Sequence, residues 1–510
     1  MRGARAALSL RILEDRTVPS LLIVTSAADD GSAGTLRAVL ASAHSGDTIT
    51  FAHKLAGQTI TLLQGQLNVT QSVNIVGLGA TQLTISGNSA SRIFDLGSNE
   101  HVKITGLTLT QGLATDGGAI LNAGNLTVAQ DDFSANVAQG LASGGLFGDE
   151  GGRGGAIENQ SGATLAVVSS TFSNNQAIGG PDNGVAFGGG IYNEAGTVNV
   201  SNSAFTGNQA LATSLGLGTT PATLLGSYAI TLEDVAGGGG IWNDGGALSL
   251  ANSTLTNNQA NGVTDTSFGA TFIGSALGGA VGTGAFFTNS MPGLKIANST
   301  LSGNLALASA SYFSFFGFPF YFPAGIARGG AVEAFAGDVS VTGSNLSGNF
   351  AESGTTTELG AKAFGPGKGA AGGALDDEVN LSDFAVPLPL TLPSLDIEVT
   401  TLGANVAQSN APGKGSVITP SADGGALAAA RVNIQLRNST VTGNQALGAP
   451  GTNASYYVFG GYTANGGYAT GGGIEALQGS LTICGSTVKN NAVAGGGGAA
   501  QTSGYGGGLI

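Results

Sequence analysis

Charge is the first thing this sequence is short of. Lys, Arg, Asp and Glu make up 9% of its 510 residues, where a soluble domain ordinarily carries about 25%. The 17 basic residues are scattered against 31 acidic ones, giving a net charge of −14. That leaves no Lys/Arg footprint with which to displace counterions, and excludes nucleic acid as a partner. A lone cysteine, Cys484, excludes an internal disulfide framework. The three histidines, His44, His53 and His101, all precede residue 117 without ligand spacing, so a metal site or a histidine-based triad is not expected. Proline is scarce (13) although glycine is abundant (89), which rules out collagen and Pro-rich linkers. No run of about 18 apolar residues occurs, so no transmembrane helix is expected. The basic start, Met1 to Leu10, also falls short of the roughly 7–15 apolar residues of a secretory signal.

What is present is aliphatic and repetitive. Hydrophobic residues reach 42% with only 6% aromatic, enough Val, Leu, Ile and Ala for a core and too many for disorder. From residue 117 onward the chain restarts about nine times on a double glycine and an aliphatic residue. The openings are Gly117-Gly118-Ala119-Ile120, Gly154-Gly155-Ala156-Ile157, Gly189-Gly190-Ile191, Gly239-Gly240-Ile241 and Gly278-Gly279-Ala280-Val281. They continue with Gly329-Gly330-Ala331-Val332, Gly372-Gly373-Ala374-Leu375, Gly424-Gly425-Ala426-Leu427 and Gly472-Gly473-Ile474, and a tenth begins at Gly507. Each opening leads to a segment of period two, the mark of a short strand, and then to an apolar residue three before an Asn. Those Asn residues are Asn136, Asn175, Asn208, Asn258, Asn304, Asn349, Asn405, Asn444 and Asn491. Stacked about 4.8 Å apart they would form a hydrogen-bonded ladder. A second set, Asn122, Asn159, Asn193 and Asn243, follows the first four openings.

Strand, corner and strand repeated every 35–50 residues predict an all-β fold: a single-stranded right-handed parallel β-helix solenoid of about 12 coils with long variable loops. Residues 21–116 lack the double glycine but carry eight short β segments, read as an N-terminal cap and the first coils. Thr35 to Ala43 has the spacing and propensity of a short amphipathic helix capping the open end. The expected organisation is a leader or disordered segment (1–20), the cap and first coils (21–116) and the repeat helix (117–510).

The openings and the apolar-x-x-Asn segments resemble the GGA[ILV] and FxxN repeats of polymorphic outer-membrane proteins, and more broadly the pectin-lyase-like β-helix proteins of bacterial surfaces. The string Leu13-Glu-Asp-Arg-Thr-Val-Pro-Ser20 resembles the leader of planctomycete-type extracellular proteins. These resemblances imply an extracellular or cell-envelope location.

Candidate chemistry is sparse. Glu158, Glu333, Asp376 and Glu475 all follow the inward aliphatic residue of an opening, so they are expected to point out onto a solvated face. Glu333 and Asp376 fall on consecutive coils with Asp377 and Glu378 beside them and Arg328 at the corner, the one constellation that offers paired carboxylates for hydrolysis. If the pectin-lyase-like resemblance extends to a lyase, Ca²⁺ is implied; otherwise no cofactor is expected. The other conspicuous feature is an aromatic loop holding Tyr312, Phe313, Phe315, Phe316, Phe318, Phe320, Tyr321 and Phe322, read either as a contact for a partner, glycan or lipid, or as a loop burying its own rings. A smaller loop carries Tyr456, Tyr457 and Phe459, with Tyr462 and Tyr468 beyond it. The leading expectation is a non-enzymatic surface protein presenting loops to a polysaccharide or a surface protein. The alternatives are a polysaccharide lyase or glycoside hydrolase, and a fragment of a larger autotransporter-like or modular protein.

Overall fold

The computed structural model describes residues 19–141, 151–180, 184–212, 233–262, 273–284, 292–309, 312–315, 318–321, 326–335, 337–355, 369–378, 392–410, 422–448, 469–495 and 504–505. The chain is a right-handed parallel β-helix of about twelve coils, in which short strands pair in parallel with their equivalents one turn on. Sheet I holds thirteen strands, from Leu21–Val24 to Leu481–Cys484, and sheet II twelve, from Gln58–Thr61 to Thr487–Lys489. Sheet III holds nineteen strands in two neighbouring strips, and sheet IV eleven, from Leu67–Val69 to Ile474–Leu477. A full coil visits I, II, the first strip of III, the second strip, then IV. The sheets cross residue 116 unbroken, since Phe94–Leu96 pairs with Ile120–Asn122 and His101–Thr105 with Asn125–Ala129.

The helix expected near Thr35 is α1 (Leu36–Ser42), with the Thr35 hydroxyl accepting from the Ala38 N–H at 3.3 Å. It buries Leu36 and Val39 against the first coil. Arg37 holds it there through a bidentate pair with Asp29 (2.8 and 3.0 Å) and bonds to the Gly65 and Gln66 carbonyls.

Inside, sheet I contributes two apolar rows, as with Leu126 and Val128 or Leu248 and Leu250, and sheets II and IV one each. The row on sheet IV is Ile120, Ile157, Ile191, Ile241, Val281, Val332, Leu375, Leu427 and Ile474, all buried. On sheet II the rings of Phe133, Phe172 and Phe205 stack at 4.6 and 4.5 Å, and leucines continue the column. The double glycine is where the second strip of III turns into IV. Gly278 sits at φ +67°, and a Cβ on Gly279 would lie 2.2 Å from the Gly330 carbonyl oxygen, so only glycine fits.

Polar rows seal the corners. The Asn175 Nδ2 donates to the Asn208 Oδ1 at 2.9 Å and to the Phe133 carbonyl at 3.0 Å, while its backbone N–H shares the same Oδ1. The pattern repeats from Asn136 to Asn491. The second Asn set is also a ladder, with contacts of 2.7, 2.7 and 2.6 Å, and it ends on the Thr283 hydroxyl. A third row is not evident from sequence reading. Asp131, Ser170, Ser203, Ser253, Ser299, Ser344, Thr400, Ser439 and Ser486 stack so that each backbone N–H donates to the next hydroxyl, at 3.0–3.4 Å.

Connection lengths are sharply unequal. Both corners of sheet II take two residues in ten consecutive coils, as from Ala251 to Thr254 and from Thr256 to Gln259. The long connections run between the two strips of sheet III: 140–151, 179–185, 212–232, 263–272, 310–326, 356–369, 410–421, 448–468 and 495–503. Those strips face each other through alanines, including Ala177, Ala210, Ala260, Ala306 and Ala351 against Ala186, Ala236, Ala276, Ala327 and Ala370. Two further insertions, 285–292 and 379–393, leave between sheets IV and I.

Candidate functional site

Two outward rows meet at the double-glycine corner. The residue before the glycines, on the second strip of sheet III, is Arg153, Phe187, Gly237, Leu277, Arg328 and Ala371 in successive coils. The residue after the inward aliphatic, on sheet IV, is Glu158, Tyr192, Trp242, Gly282, Glu333, Asp376, Ala428 and Glu475. Alternation along a strand points both rows away from the barrel core, as the sequence reading requires. Their expected solvation is a different matter. Glu158, Glu333, Asp376 and Glu475 are all buried, at 4%, 0%, 2% and 7% exposure. They are buried because the corner is concave: the arm formed by sheet III stands beside sheet IV, and the two rows line the angle between them.

Two charged clusters occupy this angle. In the first, Arg328 Nη1 lies 3.9 Å from Glu333 Oε1 and its Nε lies 3.7 Å from Asp376 Oδ2, with the guanidinium 5.8 Å from the Phe335 ring centre. Glu333 and Asp376 are direct partners on adjacent strands, so the expected constellation assembles around one arginine. Asp377 does not join it. One residue further along the strand it points inward, completely buried and flanked in register by Ala334 and Ala429. Neither of its carboxyl oxygens has a hydrogen-bond partner among the described residues. Burial, reinforced by the charges of Asp376 and Asp338, holds Asp377 well above the usual carboxylate range.

The second cluster gathers around Glu158, and its other members were not expected from the sequence. Arg153 lies over the Tyr192 ring at 5.5 Å, and the Tyr192 hydroxyl bonds Asp244 Oδ2 at 3.1 Å. Phe187 packs on Trp242 at 4.5 Å between ring centres and on Tyr192 at 6.5 Å. Glu158 sits in this angle, pushed up to about 8 by burial and then by Asp116, against the opposing pull of Arg153. Burial and the Asp244 charge likewise push the Tyr192 hydroxyl up. The signal was available, since Tyr192 and Trp242 share the register of Glu158, but only the acids of that row attract notice in a search for carboxylates. Among the described residues, no group of three or more His, Cys, Asp or Glu is placed to hold a metal ion, and no helix is long and apolar enough to cross a membrane.

The aromatic loop contains a two-stranded antiparallel hairpin, Tyr312–Phe315 paired with Phe318–Tyr321, with Phe313 opposite Phe320 and Phe315 opposite Phe318. Phe316 and Phe322, the leader residues 1–18, the loop from Tyr456 to Tyr468 and the opening at Gly507 lie outside the described residues.

No family profile and no curated protein matches the chain. Among solved structures it is similar to the pectate lyase Pel9A, at 14% identity and a TM-score of 0.35, with 72% of this chain and 78% of that one covered. It is also similar to the alginate lyase AlyF-OU02 in complex with G6, at 11% identity and a TM-score of 0.30, with 97% and 89% covered. At such identities the likeness concerns the fold alone.

Proposed function

We propose that this chain is a non-enzymatic scaffold of the extracellular space or cell envelope, presenting one ridge of loops to a polysaccharide or a surface protein. The observation that carries this reading is that nine successive long connections all leave from the same edge, between the two strips of sheet III. Variable loops on a rigid, evenly spaced scaffold are the usual arrangement of a recognition surface. Three hydrogen-bonded ladders and a continuous core supply the rigidity. The connection that holds the hairpin Tyr312–Phe315 and Phe318–Tyr321 is by sequence the richest of the nine in Phe and Tyr, and it is the first candidate contact.

A second reading rests on Arg328, Glu333 and Asp376. A carboxylate pair sharing one arginine on adjacent strands suits polysaccharide cleavage, by hydrolysis or by a Ca²⁺-assisted lyase route. Its weakness is that all three side chains are buried in the corner, whereas a sugar-cleaving acid has to reach its substrate.

One experiment separates the two. The chain is incubated with a panel of acidic and neutral polysaccharides, with and without Ca²⁺, and both retention on immobilised glycan and release of reducing or unsaturated ends are followed. Retention without product, lost when residues 312–321 are replaced by a Gly/Ser linker, supports the scaffold. Product that disappears in Glu333→Gln/Asp376→Asn supports the enzyme and overturns the scaffold.

A further inference from the structure

The outer face of sheet II is a regular, repeating surface among the described residues, and the proposed ridge makes no use of it. Its strands turn two residues outward around an apolar residue that is buried in all but the last coil, as Thr254 and Thr256 flank Leu255. The first outward row reads Thr59, Thr84, Thr108, Asp132, Thr171, Ala204, Thr254, Thr300, Asn345, Thr401, Thr440 and Thr487, and the second runs from Thr61 to Lys489. Nineteen of these twenty-four positions are Thr or Ser, only Asp132 and Lys489 carry charge, and none is aromatic. Nearly all are partly or fully exposed.

We infer that this face is an ice-binding surface. Parallel strands put neighbouring rungs about 4.8 Å apart, and alternate residues on one strand about 6.6 Å apart. The hydroxyls therefore form a regular two-dimensional lattice on the length scale of the oxygen repeat of ice. Threonine is suited to such a lattice because branching at Cβ stiffens χ1. Its hydroxyl is thereby held in place before water arrives, and its methyl displaces loosely held solvent. Preorganisation lowers the entropy lost on adsorption. Charged groups would impose their own hydration shells and break the lattice, and the face is nearly free of them in a chain of net charge −14. A glycan surface would instead call for aromatic platforms, and none is present there.

A second, independent observation concerns access. The chain inserts long loops at the edge of sheet III and twice between sheets IV and I, yet both borders of sheet II stay at two residues for ten consecutive coils. Those corners are made by residues at positive φ, such as Asn252 (+49°) and Asn257 (+55°), which turn the chain within two residues and so insert no loop of their own at the borders of the face. Growing ice is a large, rigid ligand, and short borders suit it.

The test uses the chain as it is, in ice recrystallisation assays and in partition between growing ice and liquid. Thr254→Tyr/Thr300→Tyr keeps residues of good strand propensity but places two rings above the lattice at its centre. Thr197→Tyr does the same on sheet I and serves as a control. Wild type and control are expected to slow grain growth and enter ice, with the double variant about tenfold weaker, equivalent to about 1.4 kcal/mol. Matching circular dichroism among the three chains establishes that the loss is not unfolding. Two results overturn the inference: a wild type that leaves grain growth unchanged, and a double variant as active as wild type. Retention on crystalline cellulose or chitin without any effect on ice also overturns it, by assigning the lattice to a carbohydrate surface.

Discussion

Replacing Asn258 with Ala removes one rung from the middle of the long Asn ladder. Asn258 Oδ1 accepts two bonds, from the Asn208 backbone N–H at 3.1 Å and from its Nδ2 at 2.9 Å. Its own Nδ2 donates to the Phe205 carbonyl at 3.0 Å and to Asn304 Oδ1 at 3.1 Å. All of these groups are buried, so water does not take over the bonds. The variant leaves two donors of Asn208 without an acceptor, at about 1–3 kcal/mol each, for a total loss of about 2–6 kcal/mol. A β-helix is held together by nearest-neighbour coils, so the loss should be local. Amide exchange should accelerate most in the coils carrying Asn208, Asn258 and Asn304, and least near α1. Denaturant unfolding gives the overall magnitude and exchange mass spectrometry its distribution. A loss below about 0.5 kcal/mol, the range of an ordinary surface substitution, would refute the ladder argument, as would protection lost evenly along the chain.

Three further outcomes are expected. Asp377→Ala should stabilise the protein by about 1–3 kcal/mol at pH 7, because it replaces a buried carboxyl lacking a hydrogen-bond partner among the described residues with the residue already present at Ala334 and Ala429. A carboxyl held above its unfolded pKa favours folding most below about pH 3.9 and loses that contribution as pH rises. The gain in thermal midpoint should therefore shrink toward pH 4, and a gain independent of pH would count against the cause given. Glu158, pushed up to about 8, follows the same sign: its contribution is complete below about pH 4.3 and lost as pH rises through about 8. Glu158→Gln should flatten the fall in stability over that interval, leaving the parts due to Asp377 and to Asp131, which burial raises to about 7; parallel curves for variant and wild type would show that Glu158 does not titrate there. Arg328→Met removes the guanidinium between two buried carboxylates and should cost about 3–5 kcal/mol, read by denaturant unfolding; a neutral result would mean that Glu333 and Asp376 are balanced from elsewhere.

How far the sequence reached can be followed residue by residue. Double glycines, period-two segments and evenly spaced Asn residues are local patterns with one economical geometric solution, so the coil, its ladders and the number of turns were legible. The capping helix was legible for the same reason, since Thr35 and the apolar spacing behind it are local signals. Even the pairing of Glu333 with Asp376 followed from counting along the repeat. What the sequence did not contain was the angle between sheets III and IV. Whether an outward residue meets water depends on what stands beside it, and that is settled by the arm of sheet III, whose Ala rows let its two strips close on each other. Hence Glu158, Glu333 and Asp376 point outward as expected and are nevertheless buried, while Tyr192 and Trp242 join them. The edge from which the loops leave was equally undetermined, because an insertion between two strands carries no mark of the corner it occupies. The Ser row and the Thr face escaped notice because single hydroxyl residues are common in any loop. They become features only when successive coils are stacked in register, which is a property of the assembled helix and not of any one repeat.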